Sequence, residues 1–199
     1  MLDAAQENAL LRLLDELERW SQAYNLTAIT DRDTMITHHL LDSLAVAPFL
    51  HGTRIADLGT GAGFPGLPLA IAQPGQQFTL VDSTAKKIRF VQHAARTLAL
   101  ANVTAVHARI EALATDRSAC YDTLIARALA PLPELLPWVE PLCHADAKLL
   151  AMCGRLPTDD LAALRDGWRL LDARRIEVPG LKAERHMLLL AYAAPSRIV

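Results

Sequence analysis

Between Arg54 and Gly66 the chain reads Arg54-Ile55-Ala56-Asp57-Leu58-Gly59-Thr60-Gly61-Ala62-Gly63-Phe64-Pro65-Gly66, a short apolar stretch that ends in a carboxylate and then breaks into alternating glycines. A strand that turns into a helix through such a loop makes a ligand cradle. Glycine at every second position tolerates positive φ and leaves bare backbone for a ligand to touch, and the first N–H groups of the following helix have no partner within it. A second strand-like run, Thr79-Leu80-Val81-Asp82, ends in another acid at the spacing of about 20 residues where a ribose-binding carboxylate is expected. The two acids together predict a bound adenosine.

Two kinds of ligand compete for the loop, because Gly61-Ala62-Gly63-Phe64-Pro65-Gly66 also fits the G-x-G-x-x-G dinucleotide pattern. Three residues oppose a pyrophosphate: Pro65 has no N–H to donate, Phe64 is bulky where a phosphate needs close approach, and Asp57 brings a negative charge. S-adenosylmethionine has no phosphate. Its sulfonium and α-ammonium are attracted by a carboxylate at the end of the first strand. In the register D-x-G-x-G-x-G, Asp57, Gly59, Gly61 and Gly63 resemble the first motif of Rossmann-like methyltransferases. A glycine-rich turn with no ligand is the plainer alternative, and the second acid at Asp82 speaks against it.

The elements that must hold this loop follow from the patterning. Leu10, Leu13, Leu14, Leu17 and Trp20 recur at helical spacing after Asp3, a cap with Gln6 in position to close a capping box. Asn25-Leu26-Thr27-Ala28-Ile29-Thr30 interrupts that helix, and Asp31 or Asp33 caps a second one running through His38, Leu41 and Leu44 to Pro48. Residues 1–50 thus read as a helical extension, and residues 51–199 as the ligand-binding domain. From Thr53 the texture alternates: strands over 54–58, 77–82, 103–107, 122–126 and 147–152, with helices over about 65–72, 84–99 and 132–140. A helix near 158–166 and two strands, roughly 168–178 and 185–193, follow, with Pro179-Gly180 as the turn between the strands. This order predicts an α/β fold, a Rossmann-like class I methyltransferase sheet with an antiparallel last strand and an N-terminal helical extension.

Composition sets the outer bounds. With 199 residues, 52% of them hydrophobic, the chain can bury one sizeable core, and no internal repeat is visible. No apolar run is long enough to span a bilayer and the first residues are acidic rather than basic, so a cytoplasmic protein with no membrane partner is expected. Cys120, Cys143 and Cys153 are odd in number and lack C-x-x-C spacing, which argues against disulfides and against a metal site. The net charge of −2 does not announce a nucleic-acid binder. Its distribution is uneven: eight acids face Arg12, Arg19 and Arg32 in the first fifty residues, whereas Lys86, Lys87, Arg89, Arg96, Arg155, Arg165, Arg169, Arg174 and Arg175 come later. A basic face and ordinary solvated helix charges both fit that pattern.

Several motifs in order are similar to those of the glucose-inhibited division protein B family: Asn25-Leu26-Thr27-Ala28-Ile29, His39-x-x-Asp42-Ser43-Leu44, Asp57 through Gly66, Val81-Asp82-Ser83-x-x-Lys86-Lys87-x-x-Phe90, Arg109-x-Glu111, Tyr121-Asp122, Arg127-Ala128 and Arg185-His186-Met187-Leu188. The resemblance covers nearly the whole chain. It implies a monomeric enzyme that takes a methyl group from S-adenosylmethionine to N7 of a guanine in 16S ribosomal RNA of the small ribosomal subunit. It also implies that Gly59, Gly61 and Phe64 line the methionine end of the donor, Asp82 and Ser83 the ribose, and Ile110 and Glu111 the adenine. Arg127, after the strand Thr123-Leu124-Ile125, falls where the methyl group would meet its acceptor. The chain departs from the family at Cys153-Gly154, where Lys-Gly is usual, so that a basic contribution there is missing or has moved to Arg155; Ala147 stands where a glycine is usual.

Guanine N7 already carries a lone pair, and the sequence lacks the apparatus that harder acceptors need. An exocyclic amine calls for Asn/Asp-Pro-Pro-aromatic after the fourth strand, where this chain has Ile125-Ala126-Arg127-Ala128. A pyrimidine C5 calls for a nucleophilic cysteine there, and Cys120 precedes that strand. Catalysis by proximity and orientation remains, with Arg127 as the donor on the guanine edge or a phosphate. Three assignments stay open at this level. Arg127 serves the acceptor or a structural ion pair; Lys86 and Lys87 meet RNA phosphates or only solvent; His38, His39 and Asp42 join the extension to the core or touch RNA. A small-molecule methyltransferase and a non-catalytic S-adenosylmethionine-binding module are the competing functions.

Overall fold

A computed structural model describes residues 2–113 and 120–193. Seven strands form one sheet in the order β3-β2-β1-β4-β5-β7-β6. They are β1 (Arg54–Leu58), β2 (Gln77–Asp82), β3 (Val103–His107), β4 (Tyr121–Arg127), β5 (Cys143–Cys153), β6 (Trp168–Arg175) and β7 (His186–Tyr192). The first five run parallel, as the alternating pattern requires. β7 enters antiparallel between β5 and β6. The strand order reverses beside β1, where β2 lies on one side and β4 on the other, and such a switch point opens a crevice beyond the strands' carboxyl ends.

The central strands are buried on both sides, hence their continuous apolar runs: β1 is buried from Ile55 to Leu58. On one face lie α1 (Ala4–Tyr24), α4 (Gly66–Ala72) and α5 (Ala85–Thr97); on the other lie α6 (Ile110–Leu113), α7 (Leu132–Val139) and α8 (Thr158–Ala162). The extension does not stand apart from the sheet. Leu10, Leu13, Leu14 and Leu17 of α1 join Ile55, Phe78, Leu80 and Phe90 in a single apolar cluster. The capping box at Asp3 and Gln6 is present, and Gln6 also donates to the Ile71 and Ala72 carbonyls at the end of α4.

Two stretches differ from the sequence expectation. The second helix, capped by Asp31, begins as α2 (Arg32–Met35), widens into a π-helical segment over Ile36–Leu41 and closes as α3 (Asp42–Leu44). Such a wide turn changes which residues face inward. Here Leu40 and Asp42 are both buried, and the His38 carbonyl accepts a hydrogen bond from Arg127. The second difference is the β6–β7 link. The Pro179-Gly180 turn does not close a tight hairpin but sits inside a connection over residues 176–185 that packs on the extension. Ile176 and Val178 point inward, and Gly180 lies against Thr37.

Candidate active site

The glycine loop leaves β1 at Asp57, which is 1% exposed. Its Oδ2 accepts from the Thr60 hydroxyl at 2.6 Å and from the Gly66 N–H at 2.8 Å, so the carboxylate ties the two ends of the loop. Burial raises its pKa to about 6, against the lowering pull of those hydrogen bonds. Asp57 Oδ1 is buried with no protein partner, an orphaned acceptor that a ligand N–H or cation would satisfy. Asp82, at the tip of β2, closes the loop from the other side: Oδ2 accepts from Gly61 N–H at 3.0 Å and Oδ1 from Thr84 N–H at 2.8 Å.

Beyond these tips lies a cavity of about 370 Å³ whose walls include Gly59, Asp82, Ser83, Ile110, Glu111 and Arg127. The acids and the apolar wall suit a ribose and an adenine, and the volume is of the size that holds a small ligand. Gly61, at φ +62°, has nothing within 4 Å of where a Cβ would stand, so it opens onto free space beside the loop. The residues present therefore fit S-adenosylmethionine. Glu111 is exposed and Ile110 buried, as an edge and a face of a planar base would require.

Three assigned residues also have structural partners. Gly63 is needed for packing, since a Cβ there would stand 2.3 Å from Leu67 Cδ1. Phe64 does not line the cavity; it is 3% exposed and stacks on the His39 ring with centroids 4.7 Å apart. Lys86 donates to the Tyr24 carbonyl at 3.0 Å, satisfying an orphan acceptor at the end of α1. Lys87 leans over the cavity mouth to within 3.6 Å of Asp82 Oδ2, which makes it a rim residue of the nucleoside site.

A second cavity, also about 370 Å³, opens on the other side of the β4 tip and is lined by Asp42, Arg127, Ala128, Met152, Cys153, Gly154 and Arg185. Arg127 and Ala128 line both cavities and so form the wall between them. The Arg127 guanidinium, 26% exposed, reaches Asp42 Oδ2 at 3.3 Å and the His38 carbonyl at 3.4 Å. Asp42 Oδ1 accepts from Arg185 Nε at 2.9 Å. Arg127 thus lines the acceptor side and makes the structural ion pair at once. Arg155 is exposed beside Gly154 at this mouth. Sequence reasoning left Asp42 between joining the extension to the core and touching RNA, and gave Arg185 no role in the site; they lie 143 residues apart, and no local spacing signals the pair.

His39, behind this wall, is held neutral: burial first, then the Arg127 charge, pushes its pKa down to about 4. Its Nε2 lies 3.0 Å from the Thr27 hydroxyl, which fastens the Asn25-Leu26-Thr27 segment to the extension's second helix. His38, His39 and Asp42 therefore do join the extension to the core. Among the described residues no cluster of three or more His, Cys, Asp or Glu side chains is placed to hold a metal ion. None of the described helices is long and apolar enough to cross a membrane.

A parallel five-stranded run with an antiparallel β7 inserted beside β5, and an acid-flanked cleft at the β1–β4 reversal, define a class I, Rossmann-like methyltransferase. The ribosomal protein L11 methylase of Lactobacillus delbrueckii subsp. bulgaricus shares this fold, with a TM-score of 0.57 at 16% identity over 76% of each chain. The profile of the GidB family, rRNA small subunit methyltransferase G, matches residues 6–188, and the chain belongs to that family. The ribosomal RNA small subunit methyltransferase G of Xanthomonas campestris pv. campestris (strain B100) is 48% identical over 94% of this chain and 88% of its own. The protein of that name from Nitrosococcus oceani is 46% identical over 95% and 87%.

Proposed function

We propose that this chain methylates N7 of a guanine in 16S ribosomal RNA of the small subunit, working in the cytoplasm as a monomer, with S-adenosylmethionine as donor. The observation that carries the reading is the shared wall at Arg127 and Ala128, which sets a nucleoside-sized cavity back to back with an arginine-lined one. Bound S-adenosylmethionine supplies an electrophilic methyl group: the N7 lone pair forms the new C–N bond, the C–S pair returns to sulfur, and the positive charge passes to the base.

The chain's own residues place the partners. Asp57 and Asp82 fix the loop, Gly59 and Gly61 leave backbone open beside the donor's methionine end, Ser83 and Asp82 meet the ribose, and Ile110 and Glu111 meet the adenine. On the acceptor side Arg127 and Arg185 present N–H groups suited to guanine O6 or a flanking phosphate, leaving N7 free. No proton has to move, so a general base is not needed. Cys153 does line the acceptor cavity, but burial raises its pKa, which keeps it a thiol and a poor nucleophile and argues against attack on a pyrimidine C5. Arg155 and Lys87, at the mouths of the two cavities, are the remaining candidates for RNA phosphates.

The test is nucleoside mass analysis of small-subunit RNA after incubation of unmethylated particles with enzyme and donor. One 7-methylguanosine per particle is expected. Donor binding without any modified nucleoside would favour the non-catalytic module, and turnover on metabolites alone would favour a small-molecule enzyme.

A further inference from the structure

The acceptor cavity poses a charge problem that the donor cavity does not. Two guanidinium groups, Arg127 and Arg185, line the space where the base must acquire a positive charge. Left uncompensated, they would attract phosphate and at the same time oppose the product cation. Asp42 sits between them, with its side chain 3% exposed, one oxygen on each arginine. It comes from the extension rather than from the sheet, and the π-helical segment before it lets the Asp42 carboxylate turn inward while the His38 carbonyl takes a second Arg127 N–H. Asp57 attracts the Arg127 charge from inside the core, but of the described residues that line the acceptor cavity Asp42 alone carries a carboxylate. His39 is neutral above a pH of about 4 and stacks on Phe64, and the Arg185 Nη1 is committed to the Glu184 carbonyl.

We infer that Asp42 is a positioning and charge-balancing residue of the methyl transfer: it orients both arginines toward the acceptor and offsets one of their charges, so that the cavity tolerates a methylated, cationic base. This rests on the N7 reading above, since only an acceptor that becomes cationic needs the offset. It also assigns the helical extension a part in the chemical step.

The experiment compares wild type with Asp42→Asn, which keeps the shape and an acceptor oxygen. Steady-state methylation of unmethylated small-subunit particles is expected to show kcat reduced ~10-fold or more with KM unchanged or lower. Binding of the same particles without donor is expected to be as tight or tighter and to weaken more steeply with salt, because the freed arginines engage phosphate. A merely structural role would weaken binding and raise KM, together with a fall in Tm. Should Asp42→Asn not fold, adding the same change to Arg185→Gln gives the comparison: kcat is expected to fall below that of Arg185→Gln alone. Unchanged kcat in either pair, or losses confined to KM and Tm, overturns the inference. Absence of 7-methylguanosine with wild type would instead overturn the functional reading on which it stands.

Discussion

The two cavities that meet at Arg127 are built in opposite ways. The donor side is nearly contiguous: apart from Arg127, Ala128, Leu129 and Trp138, its walls come from residues 59–111, and two carboxylates, Asp57 and Asp82, hold its loop by hydrogen bonds. The acceptor side is assembled from four separate places, the extension at Asp42, the β4 tip at Arg127, the β5 end at Met152, Cys153 and Gly154, and the residue before β7 at Arg185. A largely local stretch of chain suffices for a small ligand. A docking site for a large structured RNA draws instead on surface that only the finished fold brings together.

The sharpest way to break this division is Gly61→Val. A β-branched side chain at φ +62° fills the open space beside the loop, so calorimetry is expected to show donor affinity reduced ~1,000-fold while particle binding changes by no more than ~3-fold. Equal losses in both would mean that the two halves are one site. Arg127→Ala tests the wall itself. A drop of ~100-fold in kcat/KM with donor Kd within ~3-fold places it on the acceptor side, whereas parallel losses move it to the donor side.

The halves also titrate in opposite directions. Asp57 has its folded-state pKa raised from 3.8 to about 6, so the stability linked to it is full below 3.8 and is lost as the pH rises through about 6. His39 has its folded-state pKa lowered from 6.5 to about 4, so its stability is full above 6.5 and is lost as the pH falls through about 4. Between pH 4 and 6 the two slopes, each at most ~1.4 kcal/mol per pH unit, largely cancel. Urea unfolding across that range is expected to be nearly flat for wild type. Asp57→Asn should lose stability toward acid, and His39→Asn toward neutrality. Smallest in effect, Lys86→Ala removes a donor from the end of α1 and is expected to cost ~0.5–1.5 kcal/mol in stability with no change in the salt dependence of particle binding.

What is legible in the sequence follows the same boundary. The strand series, the antiparallel ending, the capping box at Asp3 and the acids at Asp57 and Asp82 are all local patterns, produced by local hydrogen bonds or by short apolar runs buried on both sides. The packing of Gly63 against Leu67 and of Phe64 against His39 is not legible, because a glycine or an aromatic needed for packing looks the same in sequence as one that touches a ligand. The π-helical segment escapes detection since its one extra residue leaves the apolar spacing nearly helical. The Asp42–Arg185 pair is invisible for a plainer reason: nothing in a single sequence says that residues so far apart will meet.

Because β7 runs antiparallel, its first residue pairs with the last of β5, His186 opposite Cys153, and this reversal is what returns Arg185 to the rim formed by the β4 and β5 tips. A growing chain that has emerged as far as Trp138 already holds every residue that lines the donor cavity. It acquires the second guanidinium of the acceptor pocket only with Arg185, just before β7. The cradle for the donor is thus complete in the chain well before the pocket for the acceptor, which waits for β7 to join the sheet beside β5.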